Sequence, residues 1–348
     1  MARTLPSGSV WGVAPAVMLH GGTPERLNDA SGDSHTGRAG MLAATFQELS
    51  MARTFFQLRL ASCAVALALS LPLLASAAAN VAVAPQYDTT HVYVSNDKID
   101  AFVTSFVNTF GGQASPRAVF TVTPTPSKTA SQYVQTPVGM LSVFAFQTPI
   151  PYGFGLERTG YLVTDINQAR DAAVEAGADV TVEPFDDPIG KDVLVQWAGG
   201  VNMQLYWHTK APSYAPLHSV PDNRVYVSHV SADKFLKQFT QFAHATVVSD
   251  AKVDGGEIGR NGESVRRVHL TSNFGKMTVF VTDGKLTFPY GRETTGYQVD
   301  DMAATLKKAA ANGATILTPP YKTSAGNSSA MIEFPGGYIS EVHDGATL

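Results

Sequence analysis

The sequence predicts an α+β protein built as a tandem duplication, and two observations predict it. Gly160-Tyr161-Leu162-Val163-Thr164-Asp165 recurs as Gly296-Tyr297-Gln298-Val299-Asp300-Asp301, and without a gap Gly177-Ala178 falls on Gly313-Ala314 and Pro184 on Pro320. Further upstream, His91-Val92-Tyr93-Val94-Ser95 is matched by Arg224-Val225-Tyr226-Val227-Ser228, and Phe102, Val103 and Phe106 by Phe235, Leu236 and Phe239. A repeat that keeps strand and helix signals in one order signifies a duplicated structural unit.

Length and composition set the frame. A chain of 348 residues suits about two domains. Charged residues make up 16% and the net charge is −4, with no run of Lys and Arg, so a nucleic-acid surface is not expected. Residues 1–50 are polar and aperiodic and read as a disordered or untranslated extension. Residues 51–77 read as a signal peptide starting at Met51. Arg53 and Arg59 form its basic end, Leu60 to Leu74 its apolar stretch, and Ala75-Ser76-Ala77 its small-residue cleavage site. That predicts a secreted or periplasmic protein with no stable membrane insertion after cleavage. The single cysteine, Cys63, lies inside this leader, so the mature chain has neither a thiol nucleophile nor a cysteine metal site.

The mature chain opens with alternation over Thr90–Ser95, a strand with Val92 and Val94 on one face and His91 and Tyr93 on the other. Ile99, Phe102, Val103, Phe106 and Phe110 form one helical stripe, ended by Gly111-Gly112. Strands are expected at 118–124 and 138–147, separated by a Pro/Thr/Ser segment. In the repeated unit, Asp165 and Asp301 stand at helix N-caps, where a short carboxylate can accept first-turn N–H groups. Gly177 and Gly313 stand where the helices stop. Strands at Val193–Trp197 and Asn202–His208 close the first copy. The proline-bearing stretch 210–222 reads as a linker. In the second copy, Asn261-Gly262 suits a two-residue hairpin turn, followed by strands at 264–270 and 276–282. Gly255-Gly256-Glu257-Ile258-Gly259-Arg260 reads as a hairpin loop, since it lacks the Lys-Ser/Thr ending of a phosphate loop. Tyr152 and Tyr290 recur in Pro-Tyr-Gly turns and either cap a ligand cup or pack against the turn.

The "Gly-Tyr-x-Val-x-Asp, helix, Ala-Gly-Ala, Pro" segment and the terminal strands Gly199–Tyr206 and Gly336–His343 resemble tandem glyoxalase-like domains of the vicinal oxygen chelate superfamily. The resemblance implies two domains, 85–209 and 223–345, each of paired β-α-β-β-β modules that curl a sheet around a cupped site. It also implies metal ligands on the first and last strands of the modules. Those positions offer His91 and Arg224 on first strands, and Gln204 and Glu341 on last strands. Neither copy carries the usual two histidines and carboxylate.

Strand periodicity says which side chains share a face. Gln204, Tyr206 and His208 are co-facial, as are Glu341 and His343. If each copy closes on itself, His91 faces Gln204, and Arg224 faces Glu341 in an ion pair standing where a metal would be. If modules pair across copies, His91, Glu341 and His343 form one metal site, suited to a divalent Zn, Fe, Ni or Mn ion. Two functions follow. One is a small-molecule cup, for binding or as a degenerate enzyme, lined by Tyr93, Gln204, Tyr206, Arg224 and Tyr226. The other is a metal-dependent lyase or ring-cleaving dioxygenase, with Glu341 as ligand or catalytic base. The partner expected is a small-molecule ligand, and the oligomeric state a monomer with an internal pseudo-dimer or a homodimer.

Overall fold

The structure, a computed structural model, describes residues 80–209, 217, 219–323 and 326–345. The stretches read from the sequence as an extension and a signal peptide, and most of the one read as a linker, lie outside the described residues. The first copy runs β1 (Thr89–Tyr93), α1 (Ile99–Phe110), β2 (Gln113–Ala114), β3 (Ala118–Phe120), β4 (Thr129–Thr136) and β5 (Gly139–Phe146). It continues with β6 (Thr159–Leu162), α2 (Ile166–Glu175), β7 (Asp179–Asp186), β8 (Gly190–Trp197) and β9 (Val201–His208). The second copy repeats this with β10 (Asp222–Ser228), α3 (Ala232–Ala243), β11 (Thr246–Gly255), β12 (Arg260–Ser272) and β13 (Gly275–Thr282). It ends with β14 (Thr294–Val299), α4 (Met302–Ala311), β15 (Thr315–Ile316), β16 (Tyr321–Lys322), β17 (Ser328–Phe334) and β18 (Tyr338–Asp344).

Each copy forms its own nine-stranded sheet, in the order β2-β4-β5-β1-β6-β9-β8-β7 and β11-β12-β13-β10-β14-β18-β17-β15, with β3 and β16 pairing off the path. The seam between modules is the antiparallel pair β1·β6 in one sheet and β10·β14 in the other. The protein is therefore two tandem glyoxalase-like domains whose cups close within a copy. The alternative in which modules pair across copies to form a cup is corrected: every strand of each sheet comes from one copy.

Crossing between copies occurs instead in the cores. Val92 of β1 and Val94 just beyond it, with Phe102 and Phe106 of α1, pack with Tyr297, Met302, Phe334 and Val342 of the second copy. Tyr161, Trp197, Met203 and Leu205 of the first copy pack with Phe235, Phe239, Val268 and Val279 of the second. Alternation explains this division, because each strand's apolar set faces the helices while its polar set faces the opposite side, toward the cup. The repeated caps form as expected: Asp165 accepts from the Gln168 N–H at 2.8 Å and Asp301 from the Ala304 N–H at 2.9 Å. Gly177 and Gly313 take φ of 95° and 86°, the left-handed region a helix stop needs.

Two local expectations are revised. The segment before residue 138 contains β4, whose Ala130 and Val134 are fully buried; polar Thr, Ser and Gln on its other face hid the alternation. The β11–β12 connection is a 3-10 turn over Gly256–Ile258 closed by Gly259 at φ 76°, while Asn261-Gly262 falls inside β12 at a register irregularity.

Candidate functional site: two unequal cups

The first cup is a cavity of about 120 Å³ on the polar side of the first sheet. That is well above the roughly 10–15 Å³ needed to hold one water and leaves room for a small organic molecule. Phe120, Phe144, Phe146 and Phe154 wall it, and Tyr93, His91, Gln204, Tyr206 and His208 also line it. The sequence-derived cup residues of this copy are thus brought together. Tyr93 stacks on Phe144 at 5.5 Å and on Phe146 at 6.3 Å, a row of near-parallel rings.

His91 is 2% exposed. Its Nδ1 lies 3.8 Å from the Glu157 carboxylate and has no hydrogen-bond partner, and Oε2 of Glu157 likewise has none. Glu157 also accepts the Tyr93 hydroxyl. The Nε2 side of His91 packs on the β6 backbone, where a Cβ on Gly160 would come within 2.4 Å of it. The glycine that begins the repeated motif therefore lies beneath the candidate site.

Sequence reasoning missed Asp192. It is buried, lines the cup and interacts with the Gln204 side chain. Burial, then the charge of Asp187, pushes its carboxyl well above the ordinary carboxylate range, against the opposing Gln204 hydrogen bond. The signal was legible: an acid at the head of the apolar run Val193-Leu194-Val195 of β8, two residues from Gly190. Burial also pushes the His208 imidazole below its usual value.

The second cup is filled by charge. Arg224 is buried and donates to Glu257 at 2.7 Å; its guanidinium also stands 3.8 Å from both Glu341 and Asp222. Arg267 holds the other Glu257 oxygen at 2.6 Å. Glu341, at 0% exposure, accepts from Ser329 at 2.5 Å and sits 2.8 Å from His343 Nδ1. Burial works to raise the Glu257 carboxyl, but Arg224 and Arg267 more than reverse it, to about 2. Burial likewise opposes ionisation of Glu341 and His343; Arg224 and His343 nevertheless hold Glu341 low, and Glu341 holds His343 high. Tyr226 stacks on Phe280 at 5.3 Å, and both pack with Ile258, Val265, Leu286 and Tyr290. Tyr290 is thus a packing residue, and Tyr152, 90% exposed, caps nothing. The Gly-rich hairpin loop gains a role the sequence did not reveal, since it delivers Glu257 to Arg224.

These donor sets decide the metal question on chemistry. The expected His91, Glu341 and His343 trio is divided between the two sheets. Among the described residues no three His, Cys, Asp or Glu groups converge in a ligating cluster. The first cup is lined by two imidazoles, His91 and His208, and by the carboxyls of Asp187 and Asp192, which do not converge on one point, while the Glu157 carboxylate beside His91 is already engaged by Tyr93. In the second, the guanidinium of Arg224 supplies the cation for the carboxylates. The residues present do not fit a resident divalent metal, and Glu341 is an ion-pair residue here, with no open position for a catalytic base.

The 137-residue offset that takes Gln204 to Glu341 also takes Asp192 to Ser329. Each copy therefore keeps one carboxyl and one neutral partner across its last two strands, but on opposite strands.

Paired self-closing cups on one β-α-β-β-β module pattern define a tandem glyoxalase-like protein. The chain has the fold of the vicinal oxygen chelate superfamily. It is similar to a mutant of 4-hydroxymandelate synthase from Streptomyces coelicolor, with a TM-score of 0.51 and 15% identity over 75% of this chain and 93% of that one. It is also similar to a xylose isomerase-like TIM barrel/4-hydroxyphenylpyruvate dioxygenase fusion protein, with a TM-score of 0.50 and 10% identity over 84% of this chain and 54% of that one. The 2,3-dioxygenase LapB from Pseudomonas sp. KL28 aligns with a TM-score of 0.49 and 13% identity over 77% and 94%. No family model and no curated protein matches the sequence. At these identities the likeness shows the fold.

Proposed function

We propose that this protein binds a small organic molecule in the cup of its first domain, and that the second domain is a degenerate copy serving stability. The observation that carries this is the asymmetry: an aromatic-walled cavity with a few buried polar groups in one sheet, and a cross-linked ion network at the equivalent place in the other. Concave, mostly apolar cavities with sparse polar groups suit small ligands. The test is calorimetric titration of the mature protein with aromatic probes, comparing the native chain with Phe144→Ala and with Arg224→Lys. Binding weakened by the first and kept by the second supports the reading; binding lost only in the second overturns it.

A second reading is a metal-dependent lyase or ring-cleaving dioxygenase. The names of the similar structures and the unpartnered Nδ1 of His91 beside the unpartnered Oε2 of Glu157 support it, and the lack of a third converging ligand among the described residues weighs against it. Metal analysis separates the two. Stoichiometric transition metal that disappears in His91→Ala favours the enzyme.

The same proposal includes export through the leader at 51–77, with action outside the cytoplasm as a monomer or homodimer. N-terminal sequencing of the native protein and its mass in solution test these points. None of the described helices is long and apolar enough to cross a membrane.

A further inference from the structure

We infer that the first cup is selective for an uncharged aromatic amide, with Asp192 and Gln204 reading the amide edge and the ring row holding the flat body. The inference rests on the reading of this cup as a ligand site and adds the class of ligand.

Three features carry it. The first is shape. Tyr93, Phe144 and Phe146 stand near-parallel, with interplanar angles of 29° and 18° from Tyr93, and all three line the cavity. A planar ring gains most against such an aromatic lining, through offset-stacked or edge-to-face contact.

The second is charge. None of the residues lining the cavity is Lys or Arg, while Asp187 and Asp192 both line it. The nearby Arg158 guanidinium lies over the Tyr93 ring and donates to the Gly155 and Glu157 carbonyls, so a ligand carboxylate would be buried with no guanidinium or ammonium in the lining to meet it and an acid close by, which is costly. The residues that can offer positive charge are His91 and His208. Burial disfavours the charged form of His208, and His91 already faces the Glu157 carboxylate at 3.8 Å, which competes with any ligand anion for it. A ligand ammonium fares no better at the floor, because burial and Asp187 favour the neutral form of the Asp192 carboxyl.

The third is the polar edge itself. Asp192 lies on β8 and Gln204 on β9, and both line the cup and interact with each other. A protonated carboxyl offers one donor and one acceptor; a carboxamide offers two donors and an acceptor. After their mutual bond, the pair still has at least one donor and one acceptor for the cavity. An amide presents the complement, a C=O and an N–H on neighbouring atoms. In the second copy the corresponding pair, Ser329 and Glu341, is turned inward by Arg224 and His343 and offers no such edge.

The test is calorimetric titration of the mature protein at pH 7 with four probes of one size: benzamide, benzoate, benzylammonium and toluene. The expected result is benzamide binding at least tenfold tighter than either ion and tighter than toluene. Asp192→Asn, which keeps a donor and an acceptor, should hold benzamide within about threefold. Asp192→Leu should lose at least tenfold for benzamide while binding toluene at least as tightly as the native chain. Benzoate binding as tightly as benzamide, or Asp192→Leu leaving benzamide unaffected, overturns the ligand class; measurable toluene binding in that case leaves the cup itself standing. Failure of all four probes overturns the class and the cup together.

Discussion

At the scale of single residues, two copies of one scaffold differ most where the charge sits. His91 and Arg224 occupy the same strand position, and replacing an imidazole by a guanidinium changes the chemistry of everything facing it. Arg224 is ringed by Glu257, Glu341 and Asp222 while 3% exposed. Removing one partner of such a network leaves the others buried without compensation, so Arg224→Ala is expected to cost about 3–5 kcal/mol of stability. Arg224→Lys keeps the charge but loses the planar fork, and should fall between. Urea unfolding of the three proteins checks the order. Glu293 behaves oppositely. Burial pushes its carboxyl up to about 8, and its Oε1 has no hydrogen-bond partner. A folded-state value above the unfolded one favours the fold only at low pH, and that advantage is lost as pH rises toward 8. Glu293→Gln should therefore raise the melting temperature at pH 8.5 and leave it nearly unchanged at pH 4.5.

At the scale of elements, β6 and β14 are the strands on which site and scaffold meet. Gly160 lies against His91, and a Cβ on Gly296 would come within 2.7 Å of the Glu341 carboxylate and 3.0 Å of Arg224 Cδ. Gly160→Ala should displace the imidazole and weaken probe binding in the first cup, while Gly296→Ala should lower stability by roughly 1–3 kcal/mol through overpacking. Titration and thermal melting of the two variants distinguish these effects.

Much of this was legible in the sequence. The gapless match of Gly160–Pro184 to Gly296–Pro320 set the register, the alternation of Val92 and Val94 against His91 and Tyr93 assigned the faces, and Asp165 and Asp301 marked the helix starts. What stayed hidden were partners far apart in sequence. Nothing near Glu257 announces Arg224, because a loop's destination is decided by sheet register. Nothing near His91 says whether it will meet Gln204 or Glu341, because identical modules are locally compatible with either pairing.

At the scale of the whole molecule, the ion network predicts the pH profile of the fold. Glu257, held at about 2, and Glu341, held low, stabilise the protein above the ordinary carboxylate range; that contribution is lost as pH falls through their folded values. His343, held high by Glu341 against burial, stabilises below its usual imidazole value and loses that contribution as pH rises through its raised one. The summed contribution of these three groups should thus be largest from about pH 4.5 to 6.5, with Glu293 opposing it as pH rises. In Arg224→Ala the acid limb of a melting-temperature profile should flatten.

The crossed cores bear on how the two copies can change over time. The apolar backs of the sheets and their helices are held in common, so a substitution at Phe106 must suit Tyr297 and Phe334 in the other copy, and one at Phe239 must suit Trp197 and Tyr161. The cups, by contrast, are private to each copy. Drift is therefore coupled on one side of each sheet and independent on the other. A duplicated chain built this way can surrender one pocket to internal charge while the other keeps an open cavity, without either half losing the partner it needs to fold.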